Sequence, residues 1–196
     1  MRYPLCGTLR GTVIAVAIAG IPLSAAAQTP APAAQAAPAA PVSVVSAKPT
    51  YIAIPLEIAV NKPAAEVWKR VGKFCDIGEW LRIPCTITAG KDGEFGAVRS
   101  VANEVLVGKT ELSYTYTQPV RADRTYNLYH GTLEARAQSP TTTRLIYTLM
   151  YDNSLVQGDD AAKKAEIERR RTVFMRAMNN MKTLAEGGTL APPPGR

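Results

Sequence analysis

Residues 61–81 read NKPAAEVWKRVGKFCDIGEWL, and residues 95–101 read FGAVRSV. The first stretch opens as a helix: Asn61 is a capping residue type, and Pro63 suits a first turn, where a missing N–H costs nothing. Ala64, Val67, Trp68 and Val71 recur at three-and-four spacing as an apolar stripe. Gly72 weakens the end. Asp76 to Leu81 reads as a second short helix carrying Trp80, stopped ahead of Pro84. Before these helices, Tyr51 to Val60 alternates apolar residues (Ile52, Ile54, Leu56, Ile58) in the period of a strand.

After Leu81 the period switches to two. Strands are predicted at Cys85–Ala89, Ala97–Asn103, Glu104–Val107, Lys109–Gln118, Thr125–Ala137 and Thr142–Asn153, with a break at Gly108. Lys91-Asp92-Gly93, Pro119 and Ser139-Pro140 mark turns. From Asp159 to about Ala185 the pattern is helical, with Ile167, Phe174, Met178 and Met181 on one face. Asp159 and Asp160 suit the positive end of that helix. The order of strand, two helices, a run of strands and one long helix is an α+β plan with an antiparallel sheet.

On residues 61–81, the glycine-led strand from Gly96 and the strand before them, the chain resembles the START-like, or Bet v 1-like, superfamily, also labelled SRPBCC or polyketide cyclase/dehydrase and lipid transport. The resemblance spans roughly Tyr51 to Ala185. It implies a helix-grip fold: a curved antiparallel sheet of about six to seven strands wrapped around a long C-terminal helix, with two short helices after the first strand. It also implies a small molecule held between sheet and helix.

The ends read differently. Arg2 and Arg10 followed by apolar Val13–Leu23 and small residues Ser24–Ala27 read as a signal peptide over 1–27. The apolar run is about half the roughly 20 residues a membrane span needs, so no stable membrane insertion is expected after its removal. Residues 28–50, rich in Ala and Pro, read as an extended linker. A ligand-binding domain over 51–186 and a disordered tail over 187–196 complete the plan, with a periplasmic or secreted location. The whole chain carries a formal charge of +7, lowered by two if Arg2 and Arg10 leave. The one dense cluster, Arg169–Arg171, shares its helix with Glu166 and Glu168 and reads as a solvated face, so nucleic acid is not an expected partner.

Cys75 and Cys85 follow the signal, and an even count in an oxidising compartment favours a disulfide. Two thiols ten apart and a single distant His130 do not form a zinc set, so no metal is assigned, and no cofactor.

Parity assigns the interior. Tyr114 and Tyr116, then Tyr129, Gly131, Leu133 and Ala135, then Leu145, Tyr147, Leu149 and Tyr151 fall on inward faces, because the alternate positions carry Glu134, Arg136, Arg144 and Asp152. His130 alternates outward. Five inward phenols, each needing a partner, suggest a cavity for an oxygenated ligand rather than a core built for stability alone. Phe174, Met178 and Met181 offer an adaptable apolar wall opposite them. Arg99 stands where the resemblance often has a basic residue; neutralising an acidic ligand group and pairing with Glu104 or Glu94 are both open roles.

The expected ligand-binding set is therefore Trp80, Arg99, Tyr114, Tyr116, Tyr129, Tyr147, Tyr151, Phe174, Met178 and Met181, with entry gated near Trp80 and Lys91-Asp92-Gly93. The expected partner is a small hydrophobic or aromatic, partly oxygenated molecule, bound for carriage or sensing. A polyketide cyclase- or dehydratase-like enzyme is the alternative, and a protein-interaction domain without ligand a second. No nucleophile motif, phosphate loop or pair of inward carboxylates is read, so no catalytic residue is assigned.

Overall fold

A computed structural model describes residues 45–191. The signal segment, most of the linker and residues 192–196 of the tail lie outside the described residues. Seven strands form one antiparallel sheet: β1 (Tyr51–Val60), β2 (Ile87–Ala89), β3 (Val98–Arg99), β4 (Glu104–Thr110), β5 (Ser113–Thr117), β6 (Asn127–Ser139) and β7 (Thr142–Asp152). Helices α1 (Ala64–Val71) and α2 (Ile77–Trp80) lie between β1 and β2, and α3 spans Asp160–Ala185. The sheet order is β1-β7-β6-β5-β4-β3-β2. β2 to β7 thus meander in chain order, while β1 crosses to the last strand and pairs with it from Tyr51↔Asp152 to Val60↔Thr143.

The curved sheet grips α3. The helix buries Ala177, Met178, Met181 and Leu184 against the sheet and the short helices. Its start is capped as its sequence suggests, with the Asp159 carboxylate accepting from the Ala162 N–H at 2.9 Å. The residues expected inward on β5, β6 and β7 are buried in alternation along each strand.

Several local expectations are corrected. Asn61 does not cap α1: Pro63 holds the N-cap position, and the Asn61 N–H donates instead to the Glu186 carboxylate at 2.8 Å, tying the end of β1 to the end of α3. The strand expected at Ala97–Asn103 stops at Arg99, because Ala102 and Asn103 turn through the left-handed region (φ 51° and 54°). The break expected at Gly108 is a bulge inside β4, and the turn falls at Glu111-Leu112. Asp152, placed outward by parity, is buried, because it ends β7 and accepts from the Thr50 N–H at 2.8 Å and the Ser154 N–H at 2.9 Å. Arg170 does not share the solvated face of Arg169 and Arg171: it points between α3 and the sheet, where aromatic rings receive it.

Candidate ligand site

Nine of the ten expected site residues fall into three neighbouring groups inside the grip, and the tenth, Tyr114, borders a cleft. The central group holds Trp80, Tyr116, Tyr147, Phe174, Met178 and Met181. Trp80 meets Tyr147 edge-on at 6.1 Å between ring centroids, and Phe174 lies 5.1 Å from Tyr147. The Tyr116 and Tyr147 hydroxyls are hydrogen-bonded at 2.7 Å, although the strands that carry them are separated by β6. Gly131 makes this reach possible. It sits opposite Tyr116 in register, and a Cβ there would lie 2.3 Å from the Tyr116 Cζ. The missing side chain lets the phenol lie across β6.

The second group surrounds Arg99, which is fully buried. Its guanidinium lies 4.2 Å above the Phe74 ring centroid and 4.5 Å above that of Tyr116. Nε and Nη2 each approach Glu104 Oε2 at 2.6 Å, and Nη1 donates to the Phe74 carbonyl. The other carboxylate oxygen, Oε1, accepts from Gln118 Nε2 at 2.7 Å, and Gln118 Oε1 accepts from the Tyr126 hydroxyl at 2.9 Å. Of the two roles open for Arg99, pairing with Glu104 is the one the structure has. Burial pushes the Glu104 carboxyl above its ordinary value, with Arg99 and Gln118 pulling against it.

The third group, Tyr129 and Tyr151 with Tyr126, stacks at the far end of the interior, under Arg170. Burial pushes the phenols of Tyr114, Tyr116, Tyr129, Tyr147 and Tyr151 all upward, so each is held as the neutral donor.

Tyr114 lines an open cleft. This space of about 510 Å³ runs between the end of α1 and the β4–β5 hairpin, with Trp68, Phe74, Leu106 and Tyr114 as its apolar walls and Lys73, Asp92, Lys109 and Glu111 among its rim. Of the residues expected near an entry, Asp92 and Gly93 border the cleft, and Trp80 is buried. Trp68, Phe74 and Leu106 were not in the expected set. Trp68 stood in the stripe of α1, and its rim position could be read only once α1 was placed against β5, where its ring meets Tyr114 at 5.7 Å.

Among the described residues, four buried donors have no hydrogen bond of good geometry: Trp80 Nε1, Tyr114 Oη, Tyr151 Oη and Arg99 Nη2, the last still ion-paired with Glu104 at 2.6 Å. Such groups cost about 1–3 kcal/mol each when left unsatisfied. Cys75 and Cys85 are joined in a disulfide, with Cα atoms 5.6 Å apart, and it fixes the segment that carries Phe74 and α2. His130 is turned to its own strand, its Nδ1 2.9 Å from the Leu128 carbonyl oxygen. Among the described residues no group of three or more His, Cys, Asp or Glu side chains is placed to hold a metal ion, and no helix is long and apolar enough to cross a membrane.

A seven-stranded antiparallel sheet closed on a long C-terminal helix, with two short helices after its first strand, is the START-like, Bet v 1-like helix-grip fold. Solved structures share it at low sequence identity. A protein from Nitrosospira multiformis is 20% identical, with a TM-score of 0.54 over 67% of this chain and 94% of its own. The Zhui aromatase/cyclase from Streptomyces sp. R1128 is 17% identical, with a TM-score of 0.51 over 71% of this chain and 100% of its own. Truncated norcoclaurine synthase from Thalictrum flavum is 12% identical, with a TM-score of 0.53 over 74% of this chain and 99% of its own. No protein-family model and no curated protein sequence matches the chain.

Proposed function

We propose that the protein is an exported binding module that encloses a small hydrophobic or aromatic, partly oxygenated molecule for carriage or sensing. The ligand enters by the cleft at Trp68 and Tyr114 and reaches toward the tyrosines of the interior. One observation carries this reading: Tyr114 borders that cleft, and its buried hydroxyl makes no hydrogen bond of good geometry, with Arg99 as its charged neighbour. A ligand oxygen is the partner it lacks, and Trp68, Phe74 and Leu106 supply the apolar contact that such pockets use for affinity. Tyr116, Tyr129, Tyr147 and Tyr151, with Phe174, Met178 and Met181, form the wall behind it, and Trp80 holds that wall in place.

A second reading, a cyclase- or dehydratase-like enzyme, is favoured by one feature: Glu104 is an inward carboxylate. Both its oxygens are already occupied, by Arg99 and Gln118, so a proton-transfer role would require breaking the buried pair. Binding without chemistry is the better fit.

Calorimetric titration with 1-naphthol as probe tests the proposal. Saturable binding is expected. Tyr114→Phe keeps the fold and weakens binding by about 1 kcal/mol, the value of one neutral hydrogen bond. Leu106→Trp fills the cleft and abolishes binding. Binding that survives Leu106→Trp unchanged would overturn the assignment of the cleft.

A further inference from the structure

The β5–β6 connection lies at the opposite end of β5 from the Trp68 cleft, and there a second opening has a different chemistry. It is a cleft of about 390 Å³ lined by Arg124, Tyr126, Val156, Glu166, Arg169 and Arg170, with Asp123 at its edge. Arg170 is its floor. The guanidinium lies 4.3 Å over the Tyr126 ring and 4.6 Å over the Tyr151 ring, so π faces hold it in place.

The charges around this floor are unbalanced. Glu166 serves two guanidiniums at once: Oε1 lies 2.7 Å from Arg170 Nε and 2.9 Å from Arg169 Nη2, and Oε2 lies 2.7 Å from Arg169 Nε. Only Nε of Arg170 meets a carboxylate, which leaves the Nη edge for another acceptor. Arg124 has no carboxylate within ion-pair distance among the described residues, because Asp123 is engaged by Arg121 at 2.6 Å. The hydroxyl of buried Tyr151 lies beside Arg170, its polar neighbour, without a hydrogen bond of good geometry. Arginine forks recognise planar oxyanions bidentately. Arg124, Arg169 and Arg170 against Asp123 and Glu166 leave a formal excess of one positive charge over the lining, which matches one carboxylate better than a dianionic phosphate. Tyr126 and Val156 give the same cleft an apolar wall for a ring.

We propose that this cleft binds the carboxylate of a small aromatic acid, with Arg170 and Arg124 on the carboxylate and Tyr126 against the ring. The site stands on other residues than the Trp68 cleft, so either assignment can fail without the other.

The test titrates the isotope-labelled full chain with sodium benzoate, neutral benzamide and inorganic phosphate, and follows the arginine Nε–Hε and tyrosine ring resonances. Benzoate is expected to shift the Arg170, Arg124 and Tyr126 signals saturably. Benzamide leaves them in place, and phosphate binds at least about tenfold more weakly, since it lacks the ring and mismatches the single excess charge. Arg170 belongs to the packed interior, so Arg170→Gln risks the fold. Arg124→Gln lies at the rim, retains the thermal midpoint, and weakens benzoate about fivefold or more. Absence of a saturable benzoate shift, an equal response to benzamide or phosphate, or a folded Arg124→Gln that binds benzoate as tightly as the parent would each overturn the proposal.

Discussion

Arg99 and Glu104 face each other directly across the β3–β4 pair, and neither side chain is exposed by more than 3%. Buried pairs of this kind balance a large desolvation cost against their mutual attraction. Removing one partner leaves the other charge stranded. Glu104→Gln or Arg99→Met is therefore expected to cost about 3–5 kcal/mol in urea denaturation, and the double variant Arg99→Met/Glu104→Leu to recover most of that loss. A double variant no more stable than the singles would show that the Phe74 carbonyl, and not Glu104, is the main anchor of Arg99.

The Cys75–Cys85 bridge closes a short loop, with a sequence separation of 10. In the chain-entropy model such a closure contributes somewhat under about 3 kcal/mol. Cys75→Ser/Cys85→Ser should lower the denaturation midpoint by that amount, and reductant should have the same effect on the parent and none on the variant. Mass spectrometry after alkylation of the denatured, unreduced protein should find both cysteines unmodified.

Gly131 is needed for space and not for backbone freedom. Gly131→Ala drives a methyl group into the Tyr116 ring and is expected to cost about 1–3 kcal/mol, the range of overpacked cores. Shortening the ring in Gly131→Ala/Tyr116→Val should return part of this, and additive losses in the double variant would refute the steric account.

Burial raises the phenols of Tyr114, Tyr116, Tyr129, Tyr147 and Tyr151 above their ordinary value. In the unfolded chain they ionise near pH 10, while in the folded chain they keep their protons, so the folded state binds more protons above that pH. Stability is then fully present below about pH 10 and falls as pH rises past it. Absorbance at 295 nm should report these five ionising together with loss of near-ultraviolet circular dichroism. Ionisation of the five in a chain that stays folded would contradict the sealed interior.

Periodicity made most of the architecture legible. The alternation in β1, β6 and β7 and the helical stripe of α3 each have a single physical reading, and five tyrosines chosen by parity alone are all buried. What escaped was what depends on neighbours distant in the chain. Asn61 has the right side chain for a cap, but Glu186 at the far end of α3 claims its N–H. Glu104 shares parity with buried Leu106, yet a carboxylate invites an outward reading unless its partner is known to be sealed in as well. Arg170 was averaged into a basic triplet, although helical geometry turns adjacent residues about 100° apart and so separates it from Arg169 and Arg171. The Trp68 cleft depends on how α1 leans on β5, which no local pattern encodes.

The β1–β7 pairing has a consequence for how the chain acquires its structure. Ile52 pairs with Tyr151 and Ile54 with Leu149, so among the described residues the first strand finds its only strand partner in the last. Contacts of such long sequence separation pay their loop-closure entropy before they return any energy, and they make folding slow. A chain delivered from its N-terminus would carry β1 unpaired until β7 had emerged, and only then could the sheet be completed. The closing strand pair thus acts as a timer: β2 to β7 can pair among themselves, but the sheet is complete only once the last strand is available to the first.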